Sequence, residues 1–218
     1  LIASPSNPTG TSISPDALVG VLKAVRTRGG FVMMDEIYLG LSYDAKPQSA
    51  LSVDNDLIVI NSFSKYFHMT GWRLGWLIVP DDMASTVEKM AGSLAICAPT
   101  LSQHAALACF TPEAMQIFEQ RKRAFQKRRD YLLPEFERLG LHVPVQPDGA
   151  FYIYADVSKT GMDSAKFSKC LLEQANIAAV PGLDFGLTHG TQMVRFSYAT
   201  SLDRLHEAVD RMSRWLRA

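Results

Sequence analysis

Apolar positions along this chain alternate between two patterns, compact unbroken runs and stripes at helical spacing. The opening LIASPSNPTG ends a short apolar run in a turn, since Asn, Pro and Gly are turn residues. Ser14 then reads as a helix cap, with Pro15 in the first turn, Leu18, Val21, Leu22 and Val25 on one face, and Gly29 and Gly30 as the stop. FVMMDE at 31–36 and DLIVINSFS at 56–64 are continuous apolar runs that end in polar residues. Parallel strands buried on both faces have this form. LGWLIVP at 74–80 predicts another strand, followed by helical stretches near 81–92 and 100–110. Thr111, Pro112 and Glu113 open a long amphipathic helix that runs to about Leu139. Beyond it, strands are expected near 150–156, 177–180 and 193–199, and helices near 164–175 and 202–217. The pattern predicts an α/β fold. A mostly parallel sheet with flanking helices spans 1–111, and the long connecting helix with a smaller α+β domain spans 112–218.

Composition narrows the function classes. With 218 residues and 47% hydrophobic content, the chain has enough apolar material for a core of one large or two smaller domains. Its 22 basic and 22 acidic residues cancel, leaving no net field for nucleic acid or an anionic membrane. The basic cluster RKRAFQKRRD at 121–130 lies on a helical pattern and reads as a solvated face. No apolar stretch is long enough to span a membrane, and no signal-peptide pattern opens the chain. Cys97, Cys109 and Cys170 lack metal-ligand spacing and read as reduced thiols of a cytoplasmic protein, with no metal site expected. The first residues read as the end of a strand, so an amino-terminal portion is expected to precede Leu1.

The polar strand ends carry the chemistry. Asn7, Asp35 and the Ser62, Ser64, Lys65 group each follow an apolar strand, and a doubly wound sheet brings such ends to one crevice. Taken singly, each has a plainer reading: Asn7 as a turn residue, Asp35 as a helix cap, Tyr38 as packing, Lys65 as a surface charge. NSFSKYFHMTGWRLGW at 61–76 favours the first reading, because it sets two hydroxyls, a lysine and Arg73 in one polar turn beside a buried strand. In MVRFSYAT, Arg195 alternates with Val194 and Phe196, so it faces away from the apolar side of its strand, either as an exposed edge residue or as an anion clamp.

SPSNPTG, DEIY, SFSKYFHMTGWRLGW and VRFSYA, in that order, resemble the fold-type I enzymes dependent on pyridoxal 5'-phosphate, in particular the class I/II aminotransferases. The resemblance runs over the whole chain and implies the carboxyl-terminal part of such a fold. It implies that Lys65 holds the cofactor aldehyde as a Schiff base and shuttles a proton, and that Asp35 keeps the pyridine nitrogen protonated. It further implies that Asn7 and Tyr38 donate to the ring's phenolic oxygen, and that Ser62, Ser64 and Arg73 hold the phosphate. Arg195 becomes the clamp on the substrate α-carboxylate, a role suited to its planar fork, with Asn7 also on the substrate-binding side. The implied partners are an amino acid and a 2-oxo acid, with a homodimer for the full-length protein. DGAFYIY at 148–154 and VPGLDFG at 180–186 match segments that shape the substrate side, and His68 and His104 are read as packing or surface residues.

Two departures are visible. The amino-terminal segment that in the family supplies a further phosphate loop, a ring stacked on the cofactor and part of the sheet is not found. ICAPTLSQ at 96–103 also lacks the arginine with which one subgroup binds a second substrate carboxylate. Transamination by a ping-pong cycle is the expected activity. A β-lyase on the same scaffold, an aminotransferase-like regulator domain and an inactive fragment are the alternatives.

Overall fold

Buried apolar strands and one amphipathic helix organise the first of two compact units, which joins Leu1–Ser6 to Ser12–Lys122. The computed structural model describes residues 1–44 and 46–217. Strands β1 (Ile2–Ala3), β2 (Met33–Asp35), β3 (Ile58–Ser62) and β4 (Gly75–Ile78) form a sheet in that order. The first two pairings are parallel and β4 runs antiparallel to β3. Helix α1 (Pro15–Arg26) connects β1 to β2 and starts where Ser14 Oγ accepts the Ala17 N–H at 3.2 Å. Its Leu18 and Leu22 bury against Val32, Met34, Leu57 and Val59, each such side chain contributing about 1.5–3 kcal/mol. Helices α2 (Asp81–Ala95) and α3 (Thr100–Ala108) follow β4, and α2 has none of its residues buried.

The second unit joins Asn7–Thr11 to the chain from Arg123 onward. Strands β5 (Tyr152–Asp156), β6 (Val180–Pro181) and β7 (Met193–Ser197) make an antiparallel sheet with β7 in the centre. The segment expected as a strand near 177–180 forms only the short β6. Helices α5 (Ser164–Ala175) and α6 (Leu202–Arg217) accompany this sheet, with Asp163 capping α5 by accepting the Lys166 N–H at 2.7 Å. Phe136, Phe167 and Phe196 meet edge to face in its core, beside Ile153, Leu171 and Val194, which are fully buried. Helix α4 (Pro112–Arg138) begins in the first unit and ends in the second, continuing through Pro134.

Two local features fix loops that carry candidate site residues. Gly10, at φ +70°, offers its carbonyl to the N–H groups of Asp148 (3.0 Å) and Gly149 (2.9 Å), so the Asn7–Thr11 segment is tied into the second unit. A Cβ at Gly10 would lie 2.6 Å from Pro147 Cβ and 2.9 Å from the Gly149 carbonyl oxygen. In the first unit, Glu36, only 3% exposed, accepts the Ala50 N–H at 2.6 Å and the Ser49 hydroxyl at 3.1 Å. Burial pushes this carboxyl above its ordinary range, with the two hydrogen bonds opposing the shift.

Both features give stability predictions. Gly10→Ala and Gly29→Ala share the left-handed strain of about 1–2 kcal/mol, but nothing lies within 4 Å of a Cβ at Gly29. Urea titration should therefore show Gly10→Ala losing a further ~1–3 kcal/mol from overpacking, and equal losses would contradict the close approach. For Glu36, a raised folded-state pKa means that the folded chain binds the proton more tightly than the unfolded chain does. Its contribution is complete below the ordinary value of 4.5 and declines as pH climbs through the folded value. Glu36→Gln keeps an acceptor without the charge, so its advantage in melting temperature over the parent should grow from pH 5 to pH 8.

Candidate active site

Strands β2 and β3 lie side by side and parallel, so their carboxyl ends open at the same edge of the sheet. Asp35 is the last residue of β2, and its Oδ1 accepts the Ile37 N–H at 3.1 Å. That bond is the cap-like role the plainer reading gives an aspartate after a strand. It engages one oxygen, and Oδ2 has no hydrogen-bond partner among the described residues. Tyr38, 5% exposed, stands at the start of the short 3₁₀ turn Leu39–Leu41.

Ser62 ends β3, and the chain then makes a polar turn that returns as β4. Ser62 Oγ accepts the Ser64 N–H at 3.0 Å and lies 3.1 Å from the Leu74 carbonyl oxygen and 2.9 Å from Ser64 Oγ. A hydroxyl has one proton. With the Ser62 proton given to Ser64 Oγ, the proton of the buried Ser64 is left for another acceptor. The turn is closed again by Thr70, whose hydroxyl donates to the Ser64 carbonyl at 2.6 Å, and by the His68 N–H, which donates to the Lys65 carbonyl at 3.0 Å. Lys65 is thus held on both sides of its own backbone, and its Nζ lies 5.8 Å from the centre of the Tyr38 ring, within cation–π range.

His68 and Arg73 flank the turn in the left-handed region, at φ 54° and 51°, a conformation that non-glycine residues adopt at a cost and that clusters at functional sites. Arg73 is exposed, and its Nη1 donates to the Thr70 carbonyl at 2.8 Å. His68 rests near-parallel on Phe118 at 6.1 Å. Desolvation and the nearby Arg121 charge lower its pKa. His104 is exposed.

The second unit holds the other candidates. Arg195 lies on the central strand β7, opposite Tyr154 on β5 and Val180 on β6, and so is no edge residue. Its guanidinium is sandwiched between the rings of Tyr152 (4.5 Å) and Phe185 (4.8 Å). Nη1 donates to Asn7 Oδ1 at 2.8 Å, while the buried Nε has no hydrogen-bond partner among the described residues. Because Asn7 spends its carbonyl oxygen on Arg195, its amide hydrogens are directed away from that contact. Tyr152 and Phe185 were visible in the sequence only as members of DGAFYIY and VPGLDFG. Nothing in the spacing announced that they would enclose an arginine.

These donor sets suit pyridoxal phosphate. In the first unit a lysine amine, a half-committed carboxylate at a neighbouring strand end, a phenol and a hydroxyl with an uncommitted proton are joined by a nearby guanidinium. In the second unit a buried, unsatisfied N–H on a flat cation matches a carboxylate. No group of three or more His, Cys, Asp or Glu residues that could hold a metal ion occurs among the described residues.

Comparison with known proteins bears on this arrangement. The family model "Aminotransferase class I and II" matches residues 1–212. A valine–pyruvate aminotransferase of Mycobacterium tuberculosis is 40% identical over 99% of this chain and 56% of its own length. A probable N-acetyl-LL-diaminopimelate aminotransferase of Bacillus subtilis is 42% identical over 95% of this chain and 52% of its own. The crystal structure of an aminotransferase from M. tuberculosis superposes with a TM-score of 0.94 at 40% identity, covering 99% of this chain and 57% of that one. The chain spans about half the length of the curated relatives it matches. On sequence and on fold alike, it belongs to the class I and II aminotransferases, a family of fold-type I enzymes that use pyridoxal phosphate.

Proposed function

We propose that the protein moves an amino group between an L-amino acid and a 2-oxo acid, with pyridoxal phosphate bound by the first unit and the substrate carboxylate by Arg195. The observation that carries this reading is the Lys65 turn: an amine with its backbone fixed on both sides, at the open end of β3, beside the half-committed carboxylate of Asp35 on β2.

Pyridoxal phosphate, when bound, supplies a carbonyl that captures amines and a ring that withdraws electrons from the substrate Cα. The chain supplies everything else. Lys65 would anchor the cofactor and then take the proton from Cα and return it on the other side of the exchange. Asp35 would hold the proton on the ring nitrogen. Tyr38 and the Asn7 amide would donate to the ring oxygen, and Ser62, Ser64 and Arg73 would hold the phosphate, the guanidinium with charge-assisted bonds. Arg195, kept flat between two rings, orients the α-carboxylate through the N–H groups that Asn7 leaves over. We further propose a cytoplasmic enzyme, consistent with its three free cysteines, that works as a homodimer in its full-length form. The exposed apolar residues Leu94, Ile96, Leu101 and Leu107 offer area for that contact.

Adding pyridoxal phosphate should produce an absorbance band that borohydride abolishes, leaving the cofactor's mass on the Lys65 peptide. A label on a different lysine would overturn the assignment. Arg195→Lys keeps the charge and loses the fork. It should raise the KM for an amino acid roughly ten- to a hundredfold, the worth of a charge-assisted hydrogen bond, and leave the slow reaction of an amine without a carboxylate unchanged. An equal effect on both compounds would return Arg195 to a purely structural role.

A further inference from the structure

Lys65 has a four-carbon side chain, and fixing its backbone within the turn does not by itself fix the turn against the rest of the unit. The next residue does this. Tyr66 is 8% exposed, and its hydroxyl donates to Glu119 Oε1 on α4 at 2.6 Å. The other carboxylate oxygen of Glu119 takes Lys122 Nζ at 3.1 Å, which aligns the acceptor. The Tyr66 ring also packs against Phe118, the neighbour of Glu119, at 5.6 Å.

The same ring touches the segment that bears Tyr38. A Cβ on Gly40 would lie 2.5 Å from Tyr66 Cγ and 2.8 Å from its Cβ and Cδ2. The ring therefore sits directly on the Gly40 backbone, and no other residue type leaves room for it. Gly40 lies inside the 3₁₀ turn that Tyr38 begins, closed by the Leu41 N–H donating to the Tyr38 carbonyl at 2.8 Å. One aromatic side chain thus spans from α4, through its hydroxyl, to the Tyr38 turn, through the carbons at its base. Lys65 is its immediate neighbour in the chain.

We propose that Tyr66 and Glu119 are positioning residues that, with Gly40 as the seat for the ring, set Lys65 Nζ at its distance from Tyr38. The proposal rests on the reading of Lys65 as the working amine. Burial of the ring and the adjacent carboxylate push the Tyr66 phenol above its ordinary pKa, so it remains a donor through the physiological range. An O–H donating to a carboxylate is a strong, directional bond. Packing alone would be served equally by a phenylalanine, which is the distinction the test uses.

The test is trace acetylation of the full chain by acetic anhydride in the absence of cofactor, with Lys65 reactivity read by peptide mass relative to Lys159. Tyr66→Phe and Glu119→Ala should raise the Lys65 ratio toward that of exposed lysines, by about two- to tenfold, the range set by the net strength of one hydrogen bond. Glu119→Gln retains an acceptor and should restore most of the parent value. Gly40→Ala, which displaces the ring and leaves the Tyr66 hydroxyl intact, should also raise the ratio and serves if Tyr66→Phe folds poorly. If the ratio stays at the parent value in these variants while their melting temperatures fall, Tyr66 and Glu119 are packing residues only and the proposal is wrong. No cofactor takes part in the measurement, so its failure leaves the assignment of Lys65 as the cofactor's anchor standing. Failure of cofactor labelling at Lys65 would conversely leave the acetylation ratios unmoved.

Discussion

A strand buried on both faces has no room for a charge or an unpaired hydroxyl along its length. In β2 and β3 the residues Met34, Ile58 and Val59 are sealed from water, and polar side chains appear where the strands leave the sheet. Because the two strands are parallel, those exits fall at one edge. Asp35, Ser62, Ser64 and Lys65 are consequences of that single restriction. The chemistry of the first unit is gathered by the cost of burying it anywhere else.

The second unit solves a different problem. An arginine that binds a ligand must give up the freedom of a long side chain, which for an unrestrained guanidinium is of the order of 2 kcal/mol. Arg195 has already surrendered it. Two rings lie against it, Asn7 fixes its rotation, and one buried N–H has no partner among the described residues. An anion arriving there finds a donor that is desolvated and oriented before contact, so more of the interaction appears as binding.

Much of this was legible in the sequence because it rests on local rules. The Ser14 cap, the unbroken runs of β2 and β3, and the long helix opened by Thr111, Pro112 and Glu113 are written in neighbouring residues. Contacts between distant residues were not legible. The bond from Tyr66 to Glu119 joins positions far apart in sequence, and neither residue type is unusual where it stands. Glu36 reads as one more acidic residue in DEIY, and only the fold reveals that Ala50 and Ser49 hold it in the core. Asn7–Thr11 looks continuous with the strand before it, yet its backbone bonds go to Asp148 and Gly149. The short β6 escaped correct bounds because its pairing with β7 extends over few residues.

The Ser62–Leu74 turn also bears on the order in which the chain assembles. Its bonds connect residues at most a dozen positions apart: Lys65 to His68, Ser64 to Thr70, Phe63 to Met69, and Ser62 to Leu74. The parallel pairings β1–β2 and β2–β3 require much longer loops to close, since Ile2 meets Met34 and Met33 meets Ile58. Loop closure penalises the distant contacts more, and folding rates follow that penalty. The β3–β4 hairpin is therefore the part of the sheet that forms with the least delay. The backbone around Lys65 takes shape within it, and β2 brings Asp35 and Tyr38 to that edge when it pairs with β3.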